Sequence, residues 1–377
     1  MSRLEELIKQ HCPDGVEYKK LEDCLNYEQP TKYIVKDTKY DDTYPTPVLT
    51  AGQTFILGYT NETTGIYQAS KEKPVIIFDD FTTGFHWVDF DFKVKSSAMK
   101  MLRPTCDDIS FRYVYYAMSS IHFEPGTHTR HWISIYSQFE IPVPPLPVQE
   151  EIVRILDNFA ELQAELQAEL QKRLQQYEYY RDKLLSFSDL SNWGGQEVSV
   201  EWKKLGEVAD LGTGSHNTQD GLSEGKYPFY TRGSEILYLN DYDYDETAII
   251  TAGDGAGVGK VFHFVQGKYA LHQRAYRIVP NEKIVLARFI YYYIGATFYN
   301  YIMKSSVSSS VVSIRKPMMV NYPIPVPPLE EQERIVSILD RFDTLTTDIT
   351  AGLPAEIEAR RKQYEYYRDR LLTFQRK

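Results

Sequence analysis

The sequence predicts two copies of one mixed α/β (α+β) domain, each followed by a long helix, in the cyclic order of a ring opened at one point. Two observations carry this. IPVPPLPVQEEIVRILDNF from Ile141 returns as IPVPPLEEQERIVSILDRF from Ile324, with 14 of 19 positions identical. QYEYYRDKLLSF from Gln176 returns as QYEYYRDRLLTF from Gln363, with 10 of 12 identical. A repeat of this length decides an architecture before any local element does. The expected divisions are a first domain at 1–140, a first helix at 141–195, a second domain at 196–323 and a second helix at 324–377.

The globular parts correspond more faintly. GVEYKKL (15–21) parallels SVEWKKL (199–205), TPVLTAG (46–52) parallels YPFYTRG (227–233), and FRYVYYAM (111–118) parallels ARFIYYYI (287–294). Each part mixes a β-rich run, KPVIIF (73–78) or TAIIT (247–251), with one aromatic helix, around Tyr115 or Tyr292. The first residues, SRLEELIKQ, resemble RDKLLSFSD, the helix end that precedes the second copy, as a cyclic order requires.

In each proline-rich lead-in the prolines end a strand and a helix begins. Ile152, Ile155, Leu156 and Phe159 then fall at helical spacing, and Ile335, Ile338, Phe342, Leu345 and Ile349 alternate threes and fours like a coiled-coil seam. Together with Leu339 and the helix-end residues Tyr177, Tyr180, Leu184, Tyr364, Tyr367 and Leu371, these are expected to pair the helices or meet a partner. From Phe159 to Tyr177 is 18 residues and from Phe342 to Tyr364 is 22, a difference of about one turn. The shorter copy repeats AELQ three times (160–171), placing Leu162, Leu166, Leu170 and Leu174 at a period of four. This reads either as helix filler or as an adjustable spacer. Gly352 and Pro354 in the longer copy are expected to kink or restart the helix.

Composition narrows the function. Aromatics make up 14% of the chain, with 30 tyrosines, as on surfaces that recognise something. The net charge is −10, and even the most basic segment, 196–323, carries 13 basic and 13 acidic groups. Contact with nucleic acid therefore needs a local basic face or a partner that supplies positive field. Cys12, Cys24 and Cys106 are too few and too scattered for a disulfide framework or a zinc ribbon. No apolar run approaches the roughly 18 residues that span a bilayer, and the first ten residues lack a signal peptide's apolar core. A cytoplasmic protein is expected.

Catalytic motifs are not found. TAGDGAGVGKV (251–261) lacks a Walker loop at two places, held by Asp254 and Val261, and Val258 breaks the dinucleotide fingerprint. A glycine-rich hairpin that brings bare backbone to a ligand surface is the expectation. Of the histidines only His128 and His131 could share a metal, and no cysteine or carboxylate cluster accompanies them. The serines of SSVSSSVVS (305–313) stand in no nucleophile elbow, and no Asn/Asp-Pro-Pro-aromatic motif of amino-methyltransferases occurs. Recognition remains, and two domains set by two helices suit the separated half-sites of duplex DNA. The side chains suited to reading it are Lys93, Lys95, Lys100, Arg130 and His131 in the first domain. In the second they are Lys260, Gln273, Arg274, Lys304, Ser308, Arg315 and Lys316.

The duplicated PVPPL-x-x-Q-E-x-I-V-x-I-L-D-x-F stretch, the repeated QYEYYRDxLL helix end and the cyclic order resemble the specificity subunit of type I restriction-modification enzymes. The resemblance spans essentially the whole chain. It implies two target-recognition domains that read a split, asymmetric sequence in double-stranded DNA, joined by an antiparallel coiled coil that acts as a ruler. It implies no catalysis and no cofactor bound here. Two modification subunits would use S-adenosylmethionine to methylate adenine, and two restriction subunits would use ATP and Mg to translocate and cut. Gln149–Phe159, Gln332–Phe342, Tyr177–Leu185 and Tyr364–Leu372 would be coiled-coil and modification-subunit surfaces. Gly126–Arg130 and Ser305–Ser310 would face DNA. The rival reading is a coiled-coil scaffold whose tyrosine-rich domains bind proteins.

Overall fold

The computed structural model describes all residues except Met1, Gln53, Thr127, His128, 188–198, 306–312 and Ile349. The chain divides into two compact units, one of Met1–Glu165 with Ile357–Lys377 and one of Leu166–Glu356. Each unit thus holds one globular part, the start of the helical segment that follows it, and the end of the other helical segment.

The two globular parts repeat one strand order. In the second unit six strands run Ala209–Thr213, Ala275–Pro280, Tyr244–Ala252, Phe262–Leu271, Tyr227–Tyr230, Ile236–Leu239. In the first unit the equivalent of the long strand Phe262–Leu271 is two pieces, Phe85–Val88 and Lys93–Val94. One sheet accordingly becomes two, ordered Leu25–Glu28, Met99–Pro104, Val75–Asp79, Phe85–Val88 and Ile56–Thr60, Thr46–Leu49, Lys93–Val94. One domain helix, Phe111–Ser119 or Ala287–Ser305, contributes buried aromatic and aliphatic side chains to each core.

The repeated sequence is a mount. Pro142 and Pro325 lie in two-stranded antiparallel ribbons, Glu140–Val143 with Glu17–Lys20 and Pro323–Val326 with Glu201–Lys204, where no further strand asks for the missing N–H, and the next two prolines follow the strand end. The parallel read between GVEYKKL and SVEWKKL comes from this pairing, Tyr18 facing Pro142 as Trp202 faces Pro325.

Next comes a buried glutamine. Gln149 is 1% exposed; its Oε1 accepts from Ser110 N at 2.9 Å, and its Nε2 donates to Pro144 O at 2.6 Å. Gln332, 0% exposed, accepts from Leu286 N at 2.8 Å and donates to Pro327 O at 2.8 Å. Each thus satisfies a backbone donor at the start of a domain helix and ties it to the proline lead-in.

Two turns on, Asp157 accepts from Arg112 Nε at 2.8 Å and from the Tyr116 hydroxyl, while Asp340 accepts from Arg288 Nε at 2.8 Å and from Tyr292. Each guanidinium also lies on an aromatic ring of the sheet, Arg112 at 4.7 Å from the Trp87 centroid and Arg288 at 4.9 Å from Phe264.

Val148, Ile152 and Leu156 are fully buried in the first core, and Ile335 and Leu339 are buried in the second. Burying each such side chain is worth roughly 1.5–3 kcal/mol. This corrects the partner-surface half of the assignment: Ile152, Leu156, Ile335 and Leu339 are buried in cores that also take in Leu184, Leu185 and Leu372 from the end of the other helical segment, and they offer no surface to a partner. Leu184 is likewise a core residue, and Ile155, Ile338 and Leu371 are half-buried against the same cores. An apolar stripe on one helix has the same period whether it meets a sheet or another helix.

Helix meets helix through aromatic rings. Phe159 stacks on Tyr367 at 5.6 Å and touches Tyr364; Phe342 stacks on Tyr180 at 5.9 Å and touches Tyr177. In each unit the start of one helix therefore meets the end of the other, the antiparallel pairing expected. Burial, aided by Asp343, pushes the Tyr177 phenol up to about 12.

The first helical segment is continuous, Leu146–Leu185, whereas the second is split into Leu329–Thr347 and Leu353–Leu371. Asp348 accepts from Thr350 N at 2.7 Å and from Ala351 N at 3.2 Å, and a Cβ on Gly352 would lie 2.4 Å from Thr344 O. The break expected at AGLP is present. The helices stop at Thr347 and resume at Leu353, so the extra four residues of the longer copy fall at this break and add no helical turn. Leu162, Leu166, Leu170 and Leu174 of the AELQ segment are half-buried, and Ile349 lies outside the described residues.

Replacing Gln149 or Gln332 by alanine strands a buried donor and a buried acceptor. Each change should destabilise its unit by about 2–4 kcal/mol, read from denaturant midpoints of the full chain.

Candidate nucleic-acid interface

An open recess of ≈ 570 Å³ in the second unit is lined by Asn217, Thr218, Gln219, Arg232, His272, Gln273 and Arg274. Three segments build it. Arg232 follows strand Tyr227–Tyr230, the turn 272–274 joins Phe262–Leu271 to Ala275–Pro280, and Asn217–Gln219 lie beyond Ala209–Thr213.

Asp254 organises the cations, accepting from Arg232 Nη1 at 2.8 Å and Arg274 Nη1 at 3.0 Å. Burial pushes its carboxyl up, but the two arginines outweigh this and hold it below the usual carboxylate range. The Arg274 side chain stays 63% exposed. His272 is buried; its Nδ1 accepts from Arg274 N at 2.9 Å, and burial followed by Arg232 lowers its pKa, so it stays neutral. Gln273 donates from Nε2 to the Asn217 side-chain oxygen, and both amides are exposed.

The glycine-rich segment 251–261 forms the expected hairpin connection between Tyr244–Ala252 and Phe262–Leu271. A Cβ on Gly253 would lie 2.6 Å from Arg274 O, and one on Gly257 2.3 Å from Arg232 O. Bare backbone is needed here so that the loop can close against the two segments carrying arginine.

Of the residues singled out from sequence, the structure brings Gln273 and Arg274 together and removes three others. Lys93 is 1% exposed, donating to Thr64 O at 2.7 Å and Gly65 O at 3.0 Å and pairing with Glu62. Lys100 is 0% exposed and 3.1 Å from Asp80, itself buried. His131 is 2% exposed. These three are core groups and cannot reach DNA; a buried cation persists where a carboxylate or carbonyls replace its water. Lys95, Arg130, Lys260, Lys304, Arg315 and Lys316 are exposed. Ser308 and His128 lie outside the described residues, as do most of Ser305–Ser310 and part of Gly126–Arg130. Sequence reasoning missed Arg232, Asn217 and Asp254, although TPVLTAG against YPFYTRG already set Ala51 opposite Arg232. Among the described residues no group of three or more His, Cys, Asp or Glu could hold a metal, and no helix is long and apolar enough to cross a membrane.

Residues 13–176 and 197–359 each match the family model of the type I restriction modification DNA specificity domain. The chain belongs to this family. It is 46% identical over 409 aligned positions to the EcoR124I/EcoR124II type I restriction enzyme specificity subunit of Escherichia coli, covering 99% of this chain and 97% of that protein. A putative type I restriction enzyme specificity subunit of Haemophilus influenzae is 30% identical over 392 positions, covering 95% and 96%. In fold the chain is similar to the crystal structure of a type I restriction-modification S subunit from M. genitalium, with TM-score 0.64 at 16% identity over 96% and 97% of the two chains. Specificity subunits are the non-catalytic, DNA-recognising component of type I systems and assemble with methylase and restriction subunits.

His263 contacts Gly233 O at 3.2 Å; burial lowers its pKa more than this hydrogen bond raises it. For His263 and His272 the neutral form is the folded form. Their stabilisation is complete above the unfolded value of 6.5 and is lost as pH falls through the lower folded values. The denaturation midpoint of the second unit should decline from pH 7 to pH 5, and His263→Asn should flatten that decline.

Proposed function

We propose that this chain is the sequence-reading subunit of a type I restriction-modification complex. Its two domains, taken as 1–140 and 196–323, each read one half of a bipartite, asymmetric DNA target. The observation that carries this reading is the contrast between mounts that repeat almost atom for atom and domains that differ nearly everywhere else. Two different sequences read from one standard platform call for that combination. A scaffold binding only proteins gives no reason for it and is disfavoured by family membership.

The chain contributes no chemistry of its own. Adenine methylation with S-adenosylmethionine, and ATP- and Mg-dependent translocation and cleavage, belong to the partner subunits, in the cytoplasm. Partner contacts also provide the positive field that a chain of charge −10 lacks.

The partners number two of each kind in this reading. Tyr179 and Tyr366 occupy equivalent places in the repeated helix end and are 61% and 59% exposed. Exposed identity has no use in the cores, and it suits two copies of one modification subunit. Tyr179→Ala and Tyr366→Ala should each remove one modification subunit from the assembled complex, and the double variant both, as counted by native mass spectrometry.

The AELQ copies act as a spacer. Deleting one removes about 6 Å of helix, and the gap between half-sites should shorten by one or two base pairs at ~3.4 Å each. Methylome sequencing of a host carrying the deletion checks this; an unchanged gap contradicts it.

A further inference from the structure

The two domains share a frame at one place where the side chains on its rim do not correspond. Gly253 N donates to Arg274 O at 2.8 Å, and Asp80 N to Ala98 O at 2.8 Å. His272 N donates to Tyr230 O at 3.0 Å, and Lys95 N to Leu49 O at 3.1 Å. His263 Nε2 lies 3.2 Å from Gly233 O, and His86 Nε2 lies 3.1 Å from Gly52 O. Gly257 comes against Arg232 O as Gly84 comes against Ala51 O. These four matches put the two frames in register, with one residue more in the first domain's turn and a longer glycine-rich connection in the second.

On this common frame Ala51 stands where the second domain has Arg232, Ala98 where it has Arg274, and Lys95 where it has His272. The pair Ser96–Ser97 fills the place of the single Gln273. The frame beneath is kept and the rim is wholly replaced. Stability asks for no such difference, and a partner common to both domains would oppose it. A surface that must tell two sequences apart requires it.

We infer that the turn His272–Arg274, with Arg232 beside it, is the base-reading edge of the second domain, and that Lys95–Ala98 is the corresponding edge of the first. This rests on the DNA-reading function proposed above and adds to it the residues and the class of base. Gln273 presents an exposed amide with both donor and acceptor, the pattern that meets the N6 and N7 of adenine. Arg274 presents an exposed guanidinium fork, oriented by Asp254, which meets the O6 and N7 of guanine. The second half-site therefore contains a purine contacted from the major groove by this turn. The hydroxyl-bearing edge of the first domain, one residue longer, selects a different base through Lys95 and its two serines.

The test uses the full chain assembled with its modification subunits. Methylomes are sequenced for wild type, Gln273→Ala, Arg274→Ala and a Ser96→Ala/Ser97→Ala variant. Both second-domain changes should relax at least one position in one half-site while leaving the other half and the gap as they were, and the serine changes should relax only the opposite half. Binding to a panel of single-base duplex variants should show discrimination at the relaxed position falling roughly tenfold or more. A variant that methylates nothing is scored on this panel alone. Unaltered half-sites and unaltered discrimination in Gln273→Ala and Arg274→Ala overturn the inference. A wild-type complex with no bipartite target overturns the proposed function instead, so the two failures are distinguishable.

Discussion

The architecture depends on how each long helix is held to its domain by a buried glutamine at its start and an arginine–aspartate clamp two turns later. Gln149 and Gln332 accept from backbone donors at the starts of the domain helices, and the Arg112–Asp157 and Arg288–Asp340 pairs fix the rotation of helix against domain. Leucine and isoleucine burial supplies most of the free energy, but apolar packing tolerates small slides. The polar contacts do not tolerate them, because a slide of one residue leaves a buried amide unpaired. Register is thus set by a few directed bonds laid on a larger undirected attraction.

The duplication follows from this. In the function proposed above both readers must be fastened to the helices in one known way, and the fastening is repeated while the readers diverge. The proline ribbon, glutamine, aspartate and phenylalanine recur, together with the tyrosines that meet the phenylalanine. Divergence reaches even buried chemistry in the domains. The Lys100–Asp80 ion pair of the first has Tyr276 and Gly253 at the equivalent positions of the second. The fold holds through either solution, which leaves the rim above it free to vary.

Much of this was legible in the sequence. The near-identical stretches gave the two domains, the two helical segments, their cyclic order and the break at AGLP. What a residue's neighbours would be was less legible. Ile152 and Ile335 have seam spacing, yet that spacing fits a domain core equally well. Lys93 and Lys100 are chemically apt for phosphate, and only the three-dimensional placement of Glu62 and Asp80 shows them spent inside. In the sequence Asp254 is simply the wrong residue for a Walker loop, and its role in aligning two arginines comes from segments far apart in sequence. The recess depends on long-range loop approach, which periodicity does not encode.

The central claim is that the directed contacts of the mount set the distance at which the two readers work. The most direct measurement is the distribution of gap lengths in the methylome of a host whose complex carries Asp157→Ala and Asp340→Ala together. If the mount sets the spacing, targets with neighbouring gap lengths become methylated alongside the original. A single gap as sharply defined as that of wild type, in a chain whose denaturation midpoint shows both clamps weakened, would contradict the account.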